Sequence, residues 1–185
     1  MLHFAVIYTL GMWGSSLLIS EPKRPATEKK KRFISRVGSL AEKLKDFSFE
    51  GICTSPLIRA KETAEAIYSY HPQIKFVEID ELKERYWGDM QGSSSQNMYD
   101  LETLEESNPS YRPKTGESRE EFRVRVLKGL NLAFKEFQTP LIVSHGRWFL
   151  VLCEVLGLPP IRQIKNLCLY KFQRINSTWT LELKL

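Results

Sequence analysis

The sequence predicts an α/β protein, a three-layer α/β/α sandwich around a mostly parallel sheet. Three observations carry this. Residues Phe4 to Thr9, FAVIYT, are apolar or β-branched apart from the half-polar Tyr8, and Gly11 follows. A run of that length before a glycine is a strand buried on both faces. Further short apolar runs alternate along the chain with segments of helical periodicity, the pattern of parallel strands joined by helical crossovers. The clusters of polar residues fall at strand ends or in one long irregular segment, where an open α/β sheet places its ligands.

The elements follow in order. Strand one ends near Thr9, and residues 11–26 carry the Gly, Ser and Pro signals of a loop. Phe33, Ile34, Val37, Leu40, Ala41 and Leu44 recur at i, i+3 and i+4, so a helix is expected, with Thr27 as its N-cap. Gly51 to Thr54 is a short strand. A second helix runs after Pro56 through Ala60, Ala64 and Ile67, and His71-Pro72 ends it. Lys75 to Ile79 is a third strand. Residues 80–118 form an insertion, with a short helix around Leu101 and Leu104, and an insertion this long in a compact domain is usually a lid or binding loop. Phe122, Val126, Leu130, Phe134 and Phe137 mark an amphipathic helix. Pro140 to Ser144 is a buried strand, Trp148 to Leu156 an apolar helix, and Cys168 to Phe172 and Thr178 to Leu183 the last strands. No internal repeat or linker divides residues 1–185, so one domain is expected.

Composition narrows the function classes only a little. The 185 residues are 42% hydrophobic and 26% charged, ordinary for a soluble globular protein, and the net charge of +5 suits small anions as well as nucleic acid. The run Glu28-Lys29-Lys30-Lys31-Arg32 reads as the solvated face of a helix. Cys53, Cys153 and Cys168 lie far apart without metal-type spacing, which points to free thiols in a reducing compartment. The first twenty residues hold no Lys, Arg, Asp or Glu, and a signal peptide needs positive charge ahead of its apolar region. A buried strand followed by a loop is the better reading, and a cytoplasmic location is expected.

Four islands carry candidate chemistry. In TSPLIRAKET (54–63), Arg59 sits just inside a helix that follows a strand, and its fork beside a helix N-terminus suits a phosphate. In LKERYWGDMQG (82–92), Glu84 is a candidate general acid whose proton burial would hold, against the blander reading of a surface ion pair. TGES (115–118), with Arg123 and Arg125 after it, reads by itself as a capped helix start. In VSHG (143–146), His145 closes a buried strand and faces the expected crevice.

Taken in this order, the islands resemble the histidine phosphatase superfamily, also called the phosphoglycerate mutase-like family. SPLIRAKETA looks like the family's second arginine motif and LKERYWGDMQG like the segment bearing its catalytic acid, while TGES and VSHG match its later motifs. The resemblance implies a phosphate pocket of two arginines and two histidines that works without metal or cofactor. One histidine, in an Arg-His-Gly tip after the first strand, attacks phosphorus, and a carboxylate protonates the leaving group. Carried onto this chain, Arg59 is the second arginine, His145 the second histidine and Glu84 the acid. The first tip departs from the pattern: Thr9 stands at the arginine position, Leu10 at the nucleophile position, and only Gly11 is kept.

Leucine has no lone pair with which to attack phosphorus, so the covalent route is closed at Leu10. His3 is no substitute. It lies seven positions upstream, about 23 Å away at ~3.3 Å per strand residue. The resemblance therefore implies a catalytically deficient protein whose partial pocket, Arg59, His145, Thr9 and Gly11, binds phosphate or a small phosphorylated metabolite weakly. It would act as a non-catalytic or regulatory chain, as a homodimer or as a heterodimer with an active relative, with neither nucleic acid nor membrane as partner. The alternative is a weak or unconventional phosphomonoester phosphatase or mutase working through His145. A flavin-binding reading of YTLGMWGSS fails because that loop should run straight into a helix, and here Glu21-Pro22 and Arg24 to Ala26 intervene.

Overall fold

The computed structural model describes residues 3–9, 26–93, 95–108, 110–161 and 164–185. Leu10, Gly11, Met12 and the loop expected over the following residues lie outside the described residues. Six strands form one sheet: β1 (His3–Thr9), β2 (Gly51–Thr54), β3 (Lys75–Glu78), β4 (Pro140–His145), β5 (Leu169–Ile175) and β6 (Thr178–Leu183), in the order β3-β2-β4-β1-β5-β6. β1, β2, β3 and β4 pair in parallel, while β5 runs antiparallel to β1 and β6 antiparallel to β5. The helices are α1 (Ala26–Leu44), α2 (Ile58–Tyr68), α3 (Ser95–Ser107), α4 (Arg119–Glu136) and α5 (Gly146–Val155).

The two-residue period of β1 sorts its side chains between two cores. Ala5 and Ile7 pack with Val37, Leu40, Ala41 and Leu44 of α1 and Ala60, Ala64 and Ile67 of α2. Phe4, Val6 and Tyr8 pack with Phe122, Val126 and Leu130 of α4 and with Trp148, Phe149 and Leu152 of α5. Both faces of the sheet are thus covered, as the unbroken apolar run of β1 requires. Phe4 also stacks on Phe172 of β5 at 4.6 Å between ring centroids.

Several expectations need correction. α1 already begins at Ala26, so Thr27 lies in its first turn and is not an N-cap. Ile34 fits the apolar spacing but is 56% exposed, because its position falls outside the stripe that Val37, Leu40, Ala41 and Leu44 present to the sheet. Glu28, Lys30, Lys31 and Arg32 are exposed, as expected of a solvated face. β3 stops at Glu78, and Ile79 is buried beyond it as its backbone N–H reaches back to the Thr54 carbonyl. The helix around Leu101 and Leu104 is longer than a short turn. It spans 13 residues, with Leu101 buried and Leu104 exposed.

The segment 80–118 is held by close backbone approaches. Gly88 has φ +59°, and a Cβ there would lie 2.0 Å from the Lys114 carbonyl oxygen. The N–H of Asp89 donates to Lys114 O, and that of Glu117 to Tyr86 O. Arg85, 2% exposed, makes a two-pronged pair with Glu105 of α3 at 2.8 and 2.5 Å, and its guanidinium lies 4.1 Å from the Trp87 ring centroid. α3 is thereby tied to the strand-end segment that carries Glu84. Cys53 and Cys153 are buried free thiols and Cys168 is half-buried. Among the described residues no helix is long and apolar enough to cross a membrane.

Candidate functional site

The site is built at the carboxyl ends of the parallel strands. β1 and β4 pair in register, so Thr9 and His145 are direct neighbours. By strand alternation both lie on the face covered by α1 and α2, whereas Ser144 lies on the α4 and α5 face. Thr9 donates its hydroxyl hydrogen to the Ser144 carbonyl at 3.2 Å. That hydroxyl is satisfied by the sheet itself.

His145 is fully buried, and its Nε2 lies 2.7 Å from Ser55 Oγ, just after β2. Ser55 Oγ accepts the Leu57 N–H at 3.2 Å, a turn that opens into α2. The Nδ1–H tautomer is the one in which Ser55 donates its own hydrogen to His145 Nε2. Nδ1 is buried with no hydrogen-bond partner. Burial, then the charges of Arg59 and Arg125, push the His145 pKa down to about 2. The imidazole is therefore neutral at physiological pH, with one ring nitrogen held and the other unmatched.

Arg59 stands in the first turn of α2, four residues after Ser55. Its Nε is buried without a partner. Burial draws its pKa below the ordinary arginine value, and the Glu84 carboxyl partly offsets this. A buried polar atom left unsatisfied costs about 1–3 kcal/mol. Two such atoms, Arg59 Nε and His145 Nδ1, belong to residues close enough to influence each other electrostatically.

Glu84 approaches from the α4 and α5 side of the sheet. Its carboxyl oxygens accept the backbone N–H groups of Arg85 (3.1 Å), Arg147 (3.3 Å) and Trp148 (3.2 Å), the last two being the first turn of α5. Burial nevertheless raises its pKa above the ordinary value, against the opposing pull of those N–H groups and of Arg59. The surface ion pair with Arg85 does not form, because Arg85 turns away to Glu105. Glu84 is thus a carboxyl at a helix N-terminus, shifted by burial toward its protonated form and within electrostatic reach of the Arg59 fork.

The structure brings Thr9, Arg59, Glu84 and His145 to one end of the sheet. Leu10 and Gly11 lie outside the described residues. Two contributors carried no signal specific enough to assign them. Ser55 was visible only as a residue before Pro56, and Arg125 only as one of two arginines after a helix cap. The cap itself is present: Ser118 Oγ accepts the Glu121 N–H while the Glu121 carboxylate accepts the Ser118 N–H. Among the described residues no group of His, Cys, Asp and Glu has the arrangement of a metal site.

The family model of the histidine phosphatase superfamily (branch 1) matches residues 34–184. The uncharacterized phosphatase PhoE of Bacillus subtilis (strain 168) is 35% identical over 148 residues, covering 76% of this chain and 72% of that protein. Among solved structures, the alpha-ribazole phosphatase from Shigella flexneri superimposes with a TM-score of 0.69 at 21% identity, over 98% of this chain and 95% of its own. A phosphoglycerate mutase from Bacillus anthracis str. Sterne does so with a TM-score of 0.68 at 20% identity, over 98% and 92%. The family match begins inside α1, so β1 and its tip lie ahead of the matched stretch.

Proposed function

The chain belongs to the histidine phosphatase superfamily, and we propose that within it this protein binds a phosphoryl group in a partial pocket and is catalytically deficient by itself. The observation that carries the binding half is the pair of buried, unpartnered nitrogens, Arg59 Nε in the first turn of α2 and His145 Nδ1 at the end of β4. A phosphoryl oxygen would satisfy both, with the α2 N-terminus adding its own dipole. Glu84, neutral when protonated, can sit against an anion without repelling it.

The deficiency is argued from the first tip. A phosphohistidine route needs an imidazole lone pair aimed at phosphorus. This chain has Thr9 and Leu10 where the family resemblance sets the arginine and the histidine. The Thr9 hydroxyl is already spent on the Ser144 carbonyl. His145 is poorly suited as a substitute, since its Nε2 is held by Ser55. A non-catalytic or regulatory role follows, with an active relative as a candidate partner chain.

One observation favours the second reading, a weak phosphomonoester phosphatase. A leaving group requires a proton donor, and burial shifts the Glu84 pKa upward, in that direction. Binding comes first in either case. Titration calorimetry with inorganic phosphate should give a dissociation constant of roughly millimolar, about −4 kcal/mol, lost in Arg59→Ala. Micromolar affinity, or binding indifferent to Arg59→Ala, would count against the partial pocket.

A further inference from the structure

The carbonyls of the segment 81–84 that delivers Glu84 are held by side chains. Its four carbonyls have these partners: Glu81 O accepts Trp148 Nε1 (3.0 Å) and Arg125 NH1 (3.0 Å), Leu82 O accepts Ser144 Oγ (2.7 Å), Lys83 O accepts Arg125 NH1 (2.9 Å), and Glu84 O accepts Arg125 NH2 (3.3 Å). One guanidinium therefore grips three of the four. That guanidinium is itself locked by a two-pronged pair with Glu117, at 3.0 and 2.9 Å, and lies 4.8 Å from the Phe122 ring centroid. Gly129, one turn along α4, completes the fit. A Cβ there would lie 3.1 Å from Glu81 O, so the segment rests directly on the helix backbone.

We propose that Arg125, oriented by Glu117, is a positioning residue that sets the place of the Glu84 carboxyl against the α5 N-terminus. The inference rests on the role given to Glu84 in the proposed site. Planarity matters here, because a guanidinium presents five donors in a fixed fork and an ammonium cannot meet three carbonyls and a carboxylate at once. It also gives TGES and Arg125 a use beyond starting a helix. Glu117 is the residue before the cap, so the cap that begins α4 also aims the clamp.

The groups facing the Glu84 carboxyl are Arg59 from α2, the Arg147 and Trp148 N–H groups from α5, and its neighbour's N–H at Arg85. The Arg125 guanidinium holds the backbone, not the carboxyl. The two ways in which Arg125 can matter therefore have opposite signs. Acting merely as a nearby positive charge, its removal would raise the Glu84 pKa. Acting as a positioning residue, its removal frees the carboxyl to reach water, and the pKa falls toward the ordinary glutamate value.

The test is the Glu84 titration, followed by carboxyl carbon NMR in glutamate-labelled protein without added anion, with Glu84→Gln assigning the signal. Arg125→Gln should move the Glu84 midpoint down, Arg125→Lys should move it down by less, and Arg123→Gln should leave it in place. An unchanged or raised midpoint in folded Arg125→Gln overturns the proposal. Should Arg125→Gln fail to fold, Arg125→Lys, which keeps the charge and loses the fork, is read in its place. A downward shift supports the clamp, and none overturns it. Because no anion is present, a protein that does not bind phosphate would leave this result untouched.

Discussion

At the scale of single residues, burial shifts two groups away from their ordinary pKa values, each toward its neutral form. His145 is held neutral, with a folded pKa of about 2 against 6.5 when unfolded. Below about pH 6.5 the unfolded chain takes up a proton that the folded chain refuses, so stability falls as pH drops from there toward 2. Glu84 has the opposite sign. Its folded pKa lies above 4.5, so its contribution is complete below that value and is lost as pH rises through the folded pKa. Denaturant unfolding between pH 4 and 7 should therefore show an acid slope that shrinks in His145→Gln. A slope that survives unchanged would mean that His145 is not buried neutral. Sulfate, which stays a dianion across this range, should also reduce the slope by favouring the imidazolium.

At the scale of elements, the joints of the segment 80–118 differ enough in kind to be ranked. Glu105→Ala would strand the buried Arg85 guanidinium, and breaking such a pair costs about 3–5 kcal/mol. Ser118→Ala removes one cap bond and should cost about 1 kcal/mol. Gly88→Ala meets both a positive φ and a backbone oxygen, and should cost about 2 kcal/mol or more. Urea unfolding of the three variants checks this order. Equal costs for Glu105→Ala and Ser118→Ala would contradict the assignment of Arg85–Glu105 as the anchor of α3.

At the scale of the whole molecule, the layer order was legible because it depends on pattern. The apolar run of β1, the i, i+3, i+4 stripe of α1 and the Phe122-to-Leu130 stripe of α4 each report a buried face directly. Strand ends were legible to within a residue except at β5, expected over Cys168 to Phe172 and observed over Leu169–Ile175, where pairing with β6 carries the strand past its apolar run. Ile34 was misplaced because spacing alone does not say how wide a stripe the sheet will cover. The positions of His145 at the end of β4 and of Arg59 in the first turn of α2 were legible, because each follows from where a strand or a helix is bounded. The partners of Glu84 and Arg85 were not legible. Which carboxylate an arginine meets is decided by tertiary packing across 20 residues or more, and no local period records it. The Arg125 clamp was hidden for the same reason, since its targets are backbone carbonyls 41 to 44 positions away.

The central claim is that this chain keeps a phosphoryl pocket without the means to turn over a phosphomonoester. The most direct measurement is steady-state hydrolysis of a phosphomonoester panel by the purified, unmodified protein, with His145→Ala beside it. The account predicts no turnover in the ~1 to 10³ s⁻¹ range usual for enzymes, and a difference between the two proteins only in phosphate binding. Turnover in that range that disappears in His145→Ala would contradict it and make His145 the working nucleophile.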